Sequence, residues 1–223
     1  MKVNTHSTHR RHDKVAYLTF DDGPSTYTNQ ILDILKQHNI KATFFVVGNT
    51  SPHGLRIYRR LKKLGHSIGN HTYSHRFERI YRSQADFLAD FYRMERFIQR
   101  VIGIRTRLFR FPGGSNTERG YNIGGRRTMV SIKKKLSARG YRYCDWTIDS
   151  QDALFPERTP EEITAKVLRE SRNRRRCIIL CHDFSDRSML ALPFIIRGLK
   201  KQGYRFDKLS THSYNYQIKE EHS

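Results

Sequence analysis

A chain of 223 residues has room for one sizeable α/β core and is short for two domains. Its formal charge of +21, set among aromatic and branched residues spread along the whole length, excludes wholesale disorder and points to polyanionic partners: nucleic acid, anionic lipid or an acidic cell-wall polymer. No apolar stretch approaches the ~20 residues that span a bilayer.

The chain opens on MKVNTHSTHRRHDK, which has no hydrophobic centre and does not read as a signal peptide. Residues 1–14 are expected to form a flexible, basic, His-rich lead-in. The remainder is read as the catalytic part of an extracellular or cell-surface protein, with a cytoplasmic location as the alternative. Apolar, β-favouring runs follow at 15–20, 42–47, 67–70, 108–111, 141–148, 177–181 and 204–206. Between them the spacing turns helical, as in Ile31, Leu32, Ile34 and Leu35, or Phe87, Leu88, Phe91, Met94, Phe97 and Ile98. Thr159-Pro160-Glu161-Glu162 is a helix start: a capping hydroxyl, proline in the first turn, and acids near the positive end of the dipole. The connection at 112–125 is glycine-rich and long enough to be a functional loop.

Alternating strands and helices predict parallel strands joined by right-handed crossovers, either a doubly wound sheet or a barrel. Cys144, Cys177 and Cys181 all fall in strand-like runs, where buried thiols are expected and a disulfide is not. Basic residues cluster at Arg59-Arg60 with Lys62-Lys63, at Arg126-Arg127 with Lys133-Lys134-Lys135, and at Arg172 with Arg174-Arg175-Arg176. Solvated faces and polyanion contacts account equally well for such clusters.

The unusual polar residues collect at strand ends. Asp21 and Asp22 follow the first run, His71 and His75 the third; Arg110 sits in the fourth; Asp149 and Asp152 follow the fifth and His182 the sixth. In parallel α/β folds those ends share the face that binds ligands. Adjacent carboxylates repel, and burying them is costly unless something positive faces them. His71 and His75 are four apart, a spacing that suits one side of a helical turn and a single metal ion. Two histidines and one aspartate make a three-ligand set with a position left open. One divalent ion is therefore expected, zinc from the ligand types, with cobalt or manganese as alternatives. The second carboxylate is left free as a base, and Gly23-Pro24 reads as the turn that aims the pair.

The order and spacing of Thr19-Phe20-Asp21-Asp22-Gly23-Pro24, His71-Thr72-x-x-His75, Arg110-Phe111-Pro112, Asp149-x-x-Asp152 and Ile179-Leu180-Cys181-His182 resembles the polysaccharide deacetylase family, the carbohydrate esterases of family 4 with a NodB homology domain. The likeness runs from about residue 15 to the last strand. It implies an α/β fold, a distorted (β/α) barrel of about seven parallel strands, as a single catalytic domain over 15–212 with a tail at 213–223. It also implies that Asp22, His71 and His75 bind the metal, that Asp21 is the general base and that His182 is the general acid. Arg110 would hold Asp21, and Asp152, or else Asp149, would orient His182 or Arg110. Leu180 would line the pocket for the acetyl methyl, and the backbone N–H of Gly113 would share the oxyanion with the metal.

Two positions depart from the family pattern. Gly113-Gly114 follows Pro112 where an aromatic residue is common, and Ala153 follows Asp152 where tryptophan is usual. Both affect the walls of the substrate cleft, to which Pro112 and the upstream Trp146 are expected to contribute. The implied reaction is hydrolysis of the acetamide in an N-acetylated glycan, peptidoglycan first, then chitin or poly-N-acetylglucosamine. A hydrolase of cyclic amides or ureides on the same scaffold is the alternative enzyme. A non-catalytic basic module is the alternative outside enzymology, and the complete set of Asp21, Asp22, His71, His75, Arg110 and His182 argues against it. Nucleic acid is the least favoured partner, since Tyr141 and Tyr143 are more simply strand residues.

Overall fold

The first strand sets the frame of the computed structural model, which describes residues 14–219. Along β1 (Lys14–Asp21) successive side chains point to opposite faces. Ala16, Leu18 and Phe20 enter the large core beneath the helices with Ile31, Leu35, Phe44 and Ile195. Val15 and Tyr17 enter a smaller cluster with Phe45, Leu108 and Ile178 of other strands and with Cys144 and Leu209 of the connecting segments, which fill the curled interior of the sheet. Thr19 and Asp21 continue that inward series, which is how a carboxylate comes to lie buried at the top of the interior.

The other elements follow as α1 (Thr28–Gln37), β2 (Thr43–Val46), α2 (Pro52–Lys63), β3 (Ser67–Asn70), α3 (Phe77–Ile80), α4 (Gln84–Ile102), β4 (Leu108–Phe109), α5 (Glu118–Ser137), β5 (Arg142–Tyr143), β6 (Ile148–Asp149), α6 (Pro160–Ser171), β7 (Arg176–His182), α7 (Asp186–Lys201) and β8 (Tyr204–Asp207). All strand pairs are parallel, in the order β5-β4-β3-β2-β1-β7-β6. One edge of β1 is bonded to β7 from Val15 to Asp21; the other is shared between β8, along Lys14–Tyr17, and β2, along Thr19–Asp21. The two ends of the path, β5 and β6, do not pair, so the sheet is a curled, incomplete barrel with helices around it. This is the expected (β/α) architecture. The helix start at Thr159 is also present, as a reciprocal capping box with Glu162.

Two expectations are corrected. The run 141–148 is two short strands at opposite ends of the sheet, because the chain crosses the seam at Cys144 and Asp145 and spends their carbonyls on a buried arginine there. The connection at 112–125 is mostly helical: Thr117 caps α5 by accepting from the Gly120 N–H, and the helix bends at Gly125 (φ 78°).

The segment 208–219, which includes part of the expected tail, is tied to the barrel. The Leu209 N–H donates to Thr43 Oγ1 (2.8 Å), and Tyr214 stacks on Tyr17 with ring centroids 6.4 Å apart. The Asp145 N–H donates to the Tyr216 carbonyl (2.9 Å). The expected lead-in, apart from Lys14, and the last four residues lie outside the described residues.

Asp145 is fully buried in the seam, where its carboxylate accepts from the Ser115 N–H (2.9 Å), the Ser115 hydroxyl (2.6 Å) and the Ile218 N–H (2.9 Å). Removing it strands three donors, so Asp145→Ala is expected to lower the free energy of unfolding by about 3 kcal/mol. Urea titration should show the midpoint falling with the slope unchanged. A loss below about 1 kcal/mol would mean that these bonds do not hold the seam.

Candidate active site

Arg110 extends the β4 ladder, its N–H donating to the Asn70 carbonyl (3.0 Å), and its side chain is wholly buried in the seam. Nε donates to the Cys144 carbonyl (2.8 Å) and Nη2 to the Asp145 carbonyl (3.1 Å), while Nη1 reaches both Thr19 Oγ1 and Asp21 Oδ1 at 2.8 Å. The guanidinium lies over the Phe45 ring, 4.2 Å from its centroid. Asp21 thus meets the positive partner that its burial requires. Its other oxygen, Oδ2, is 3.6 Å from His71 Nε2.

His71 and His75 converge, but not on a helix. The chain leaves β3 in a tight turn with Thr72 and His75 at positive φ (67° and 53°). Asn70 Oδ1 accepts from the Thr72 N–H (2.8 Å), and Asp90 Oδ1 accepts from the N–H groups of Tyr73 (2.6 Å) and Ser74 (2.9 Å). Fixed in this way, His71 Nε2 and His75 Nε2 stand 3.3 Å and 3.1 Å from Asp22 Oδ1. Ligands on a tetrahedral zinc at 2.0–2.1 Å are separated by roughly 3.3 Å, so the spacing fits one ion.

The donor chemistry agrees. His71 Nδ1 is 2.8 Å from the Arg110 carbonyl, a bond that places the ring proton there and turns the Nε2 lone pair toward Asp22. Asp22 Oδ1 is buried and has no hydrogen-bond partner. Burial, and then the nearby His71, push His75 down to about 4, so it meets a cation as a neutral ligand. Burial also opposes charge on His71, but the Asp21 and Asp22 carboxylates outweigh it and raise its pKa: the site attracts positive charge. Among the described residues Asp22, His71 and His75 are the group able to hold a metal ion.

His182, at the end of β7, forms the opposite wall. Asp152 Oδ1 is 2.8 Å from His182 Nδ1, and its Oδ2 accepts from the His182 N–H (2.7 Å). Burial works against the imidazolium, but the hydrogen bond and charge of Asp152, followed by the charges of Asp21 and Asp22, raise His182 to about 9. Asp152 is lowered in turn, its burial outweighed by His182. Asp149 does not share this work: its carboxylate accepts from the Gln151 N–H (2.7 Å) and closes that turn. The expected partnership of Asp149 or Asp152 with Arg110 is likewise absent, since backbone carbonyls, Thr19 and Asp21 take up the guanidinium.

These groups line a cleft of about 460 Å³, with Leu180, Gly113 and Trp146 in its walls as expected. Pro112 is not in the lining; it is buried behind, its carbonyl accepting from the Tyr81 hydroxyl (2.7 Å). Phe77, Gln151 and Leu154 complete the walls and were not singled out in the sequence. Phe77 carried a local hint, an aromatic residue two positions beyond His75. The glycine pair makes room for the new walls: a Cβ on Gly113 (φ 76°) would lie 3.1 Å from the Phe77 ring, and one on Gly114 (φ 89°) 2.9 Å from the Trp146 ring.

Because Asp90 anchors the turn without touching the three ligand atoms, Asp90→Ala should weaken zinc binding by about 10- to 100-fold while circular dichroism stays unchanged. Calorimetric titration that finds equal affinity would show that the turn holds its shape unaided.

A family model described as Polysaccharide deacetylase matches residues 8–129, more than half of the chain. The chain is similar to a peptidoglycan-N-acetylglucosamine deacetylase of Bacillus cereus, with 34% identity over 87% of this chain and 68% of that protein. It is also similar to a chitin deacetylase of Colletotrichum lindemuthianum, with 31% identity over 84% of this chain and 75% of that one. The crystal structure of the catalytic domain of peptidoglycan N-acetylglucosamine deacetylase from Eubacterium rectale shares the fold at a TM-score of 0.88 and 34% identity, covering 93% of each chain. With motif, fold and family match in agreement, this chain belongs to the polysaccharide deacetylase family.

Proposed function

We propose that this hydrolase of non-peptide carbon–nitrogen bonds removes the acetyl group from N-acetylglucosamine units of a glycan, peptidoglycan ahead of chitin. In this reading Asp22, His71 and His75 hold one divalent ion, zinc. The observation that carries the reading is the pairing across one cleft of a carboxylate locked by Arg110 with an imidazole held and kept charged by Asp152. Amide hydrolysis needs both, because a proton must leave the attacking water while another reaches an amine that departs poorly without it.

A bound divalent ion would lower the pKa of water from about 15.7 toward ~7 and polarise the acetamide carbonyl. Asp21 then serves as general base through Oδ2, the oxygen that Arg110 leaves free. Arg110 keeps that carboxylate aimed into the cleft. His182, with Nδ1 committed to Asp152, presents Nε2 to the leaving nitrogen as general acid. The Gly113 N–H is the oxyanion donor. Leu180 lines the methyl pocket, and Phe77 and Trp146 flank the sugar.

The peptidoglycan preference rests on the names borne by the Bacillus and Eubacterium relatives and on a basic surface suited to an anionic wall. That substrate implies that the protein works outside the membrane; no helix among the described residues is long and apolar enough to cross one.

Acetate release from penta-N-acetylchitopentaose and from purified glycan strands tests the assignment, using metal-stripped protein with and without zinc or cobalt. Release should require metal and fall by about 10²- to 10⁴-fold in Asp21→Asn and His182→Ala. Tight metal binding with no acetate from either substrate would move the search to cyclic amides. The pH profile gives a second test. A raised imidazole pKa keeps the acid protonated up to about 9, so kcat/KM should decline as pH rises through that value. Asp152→Asn removes the charge that sustains the shift, and the alkaline limb should move down toward the ordinary 6.5. A limb that stays in place would remove His182 as its source.

A further inference from the structure

A second cavity, of about 480 Å³, lies between α2 and α4 behind the metal turn. Its rim carries Arg59 of α2 and Arg93, Arg96 and Arg100 of α4, and Tyr73, which sits between His71 and His75, forms part of its wall. No carboxylate lines it. Among the described residues none of the four arginines is in an ion pair. Two acids of α4 are turned away, Asp90 to the turn after β3 and Glu95 to the Asn70 amide (2.7 Å).

Arginine stems can cover the apolar Leu55, Phe97 and Val101 beneath them, but that task does not require heads of a single sign. Four like charges around one hollow repel unless an anion neutralises them. On α4 the three arginines recur at three- and four-residue intervals, a stripe about 10 Å long. That length exceeds one phosphate and suits a chain of them, each able to take a guanidinium fork. The rings are not open to bases: Arg93 covers Tyr73 at 3.7 Å from its centroid, and Phe97 meets Tyr73 and Tyr58 edge to face. Single-stranded nucleic acid depends on such open ring faces.

We propose that the α2–α4 groove binds a linear phosphodiester polyanion without bases, of the poly(glycerol phosphate) kind, and so holds the enzyme on an anionic matrix while the separate cleft works. The site does not depend on the deacetylation chemistry, and its test is a binding measurement that stands whether or not acetate is released.

Affinity of the full chain for a short poly(glycerol phosphate) oligomer is measured by calorimetry across a salt series. Arg59→Gln/Arg96→Gln/Arg100→Gln is compared with Arg127→Gln/Lys134→Gln/Lys135→Gln, which removes the same charge from exposed positions of α5. Arg93 is left in place because it stacks on the metal turn. The groove variant should bind at least about tenfold more weakly and lower the slope of log K against log salt by about 2–3, whereas the control should lose much less. Thermal unfolding checks that both remain folded; should the triple variant unfold, Arg100→Gln alone should lower the slope by about 1. Equal loss in the two variants would reduce the effect to net charge and overturn the site. No binding at physiological salt would also overturn it, and so would tighter, groove-dependent binding of single-stranded DNA of equal charge.

Discussion

Arg110 is the residue on which the rest of the structure depends. One guanidinium fills the seam where β5 and β6 fail to pair, taking up two carbonyls that no sheet ladder uses, and the same group fixes Asp21. Its own carbonyl sets the ring of His71. The gap in the barrel, the free carboxylate and one imidazole are therefore positioned by a single side chain and its peptide. A buried ion pair of this kind adds little net stability, because desolvation offsets the attraction. What it secures is geometry: Asp21 cannot turn away without leaving a buried cation unpaired.

The electrostatics run in opposite senses inside and out. The surface of a +21 chain is basic, yet the cleft gathers Asp21, Asp22 and Asp149 in one place, with Asp152 buried behind His182. Asp183 lies just behind them, and burial, with the Asp22 charge adding to it, pushes it up to about 7, so it contributes only part of a charge beside Asp22. The Thr28 hydroxyl donates to it (2.7 Å) and keeps it in place. An acidic pocket set in a basic body favours a cation locally, while a basic exterior suits polyanions. The two attractions do not compete because different surfaces carry them.

The convergence of the site was legible because strand ends are marked by composition. A β-branched run that stops at Asp-Asp-Gly-Pro, or one that stops at a histidine, declares both its end and its chemistry. The seam was not legible. Residues 141–148 have the composition of one strand, and what divides them is a bond to Arg110, distant in sequence. The spacing of His71 and His75 read correctly as convergence, here on Asp22, and wrongly as a helix. Left-handed Thr72 and His75 reach the same convergence only with Asp90, on another helix, holding the turn. Asp149 and Asp152 look alike from spacing, and only the direction of each carboxylate separates them: one closes its own turn, the other reaches β7.

The departures at Gly113, Gly114 and Ala153 carry the same lesson into specificity. By position alone they remove two walls from the cleft. In the folded chain the space over the glycine pair is filled by Phe77, from α3, and by Trp146, from the seam, and the wall past Ala153 is built from Leu154, 44% exposed. Phe184 adds an exposed ring, 5.3 Å from that of His182. Apolar side chains left open to water at the mouth of a polar cleft have a cost that contact with the flat face of a bound sugar relieves. In the proposed reading the chemistry belongs to the strand ends, whereas the glycan is selected by α3, the seam and the turns after β6 and β7, elements that no motif position records.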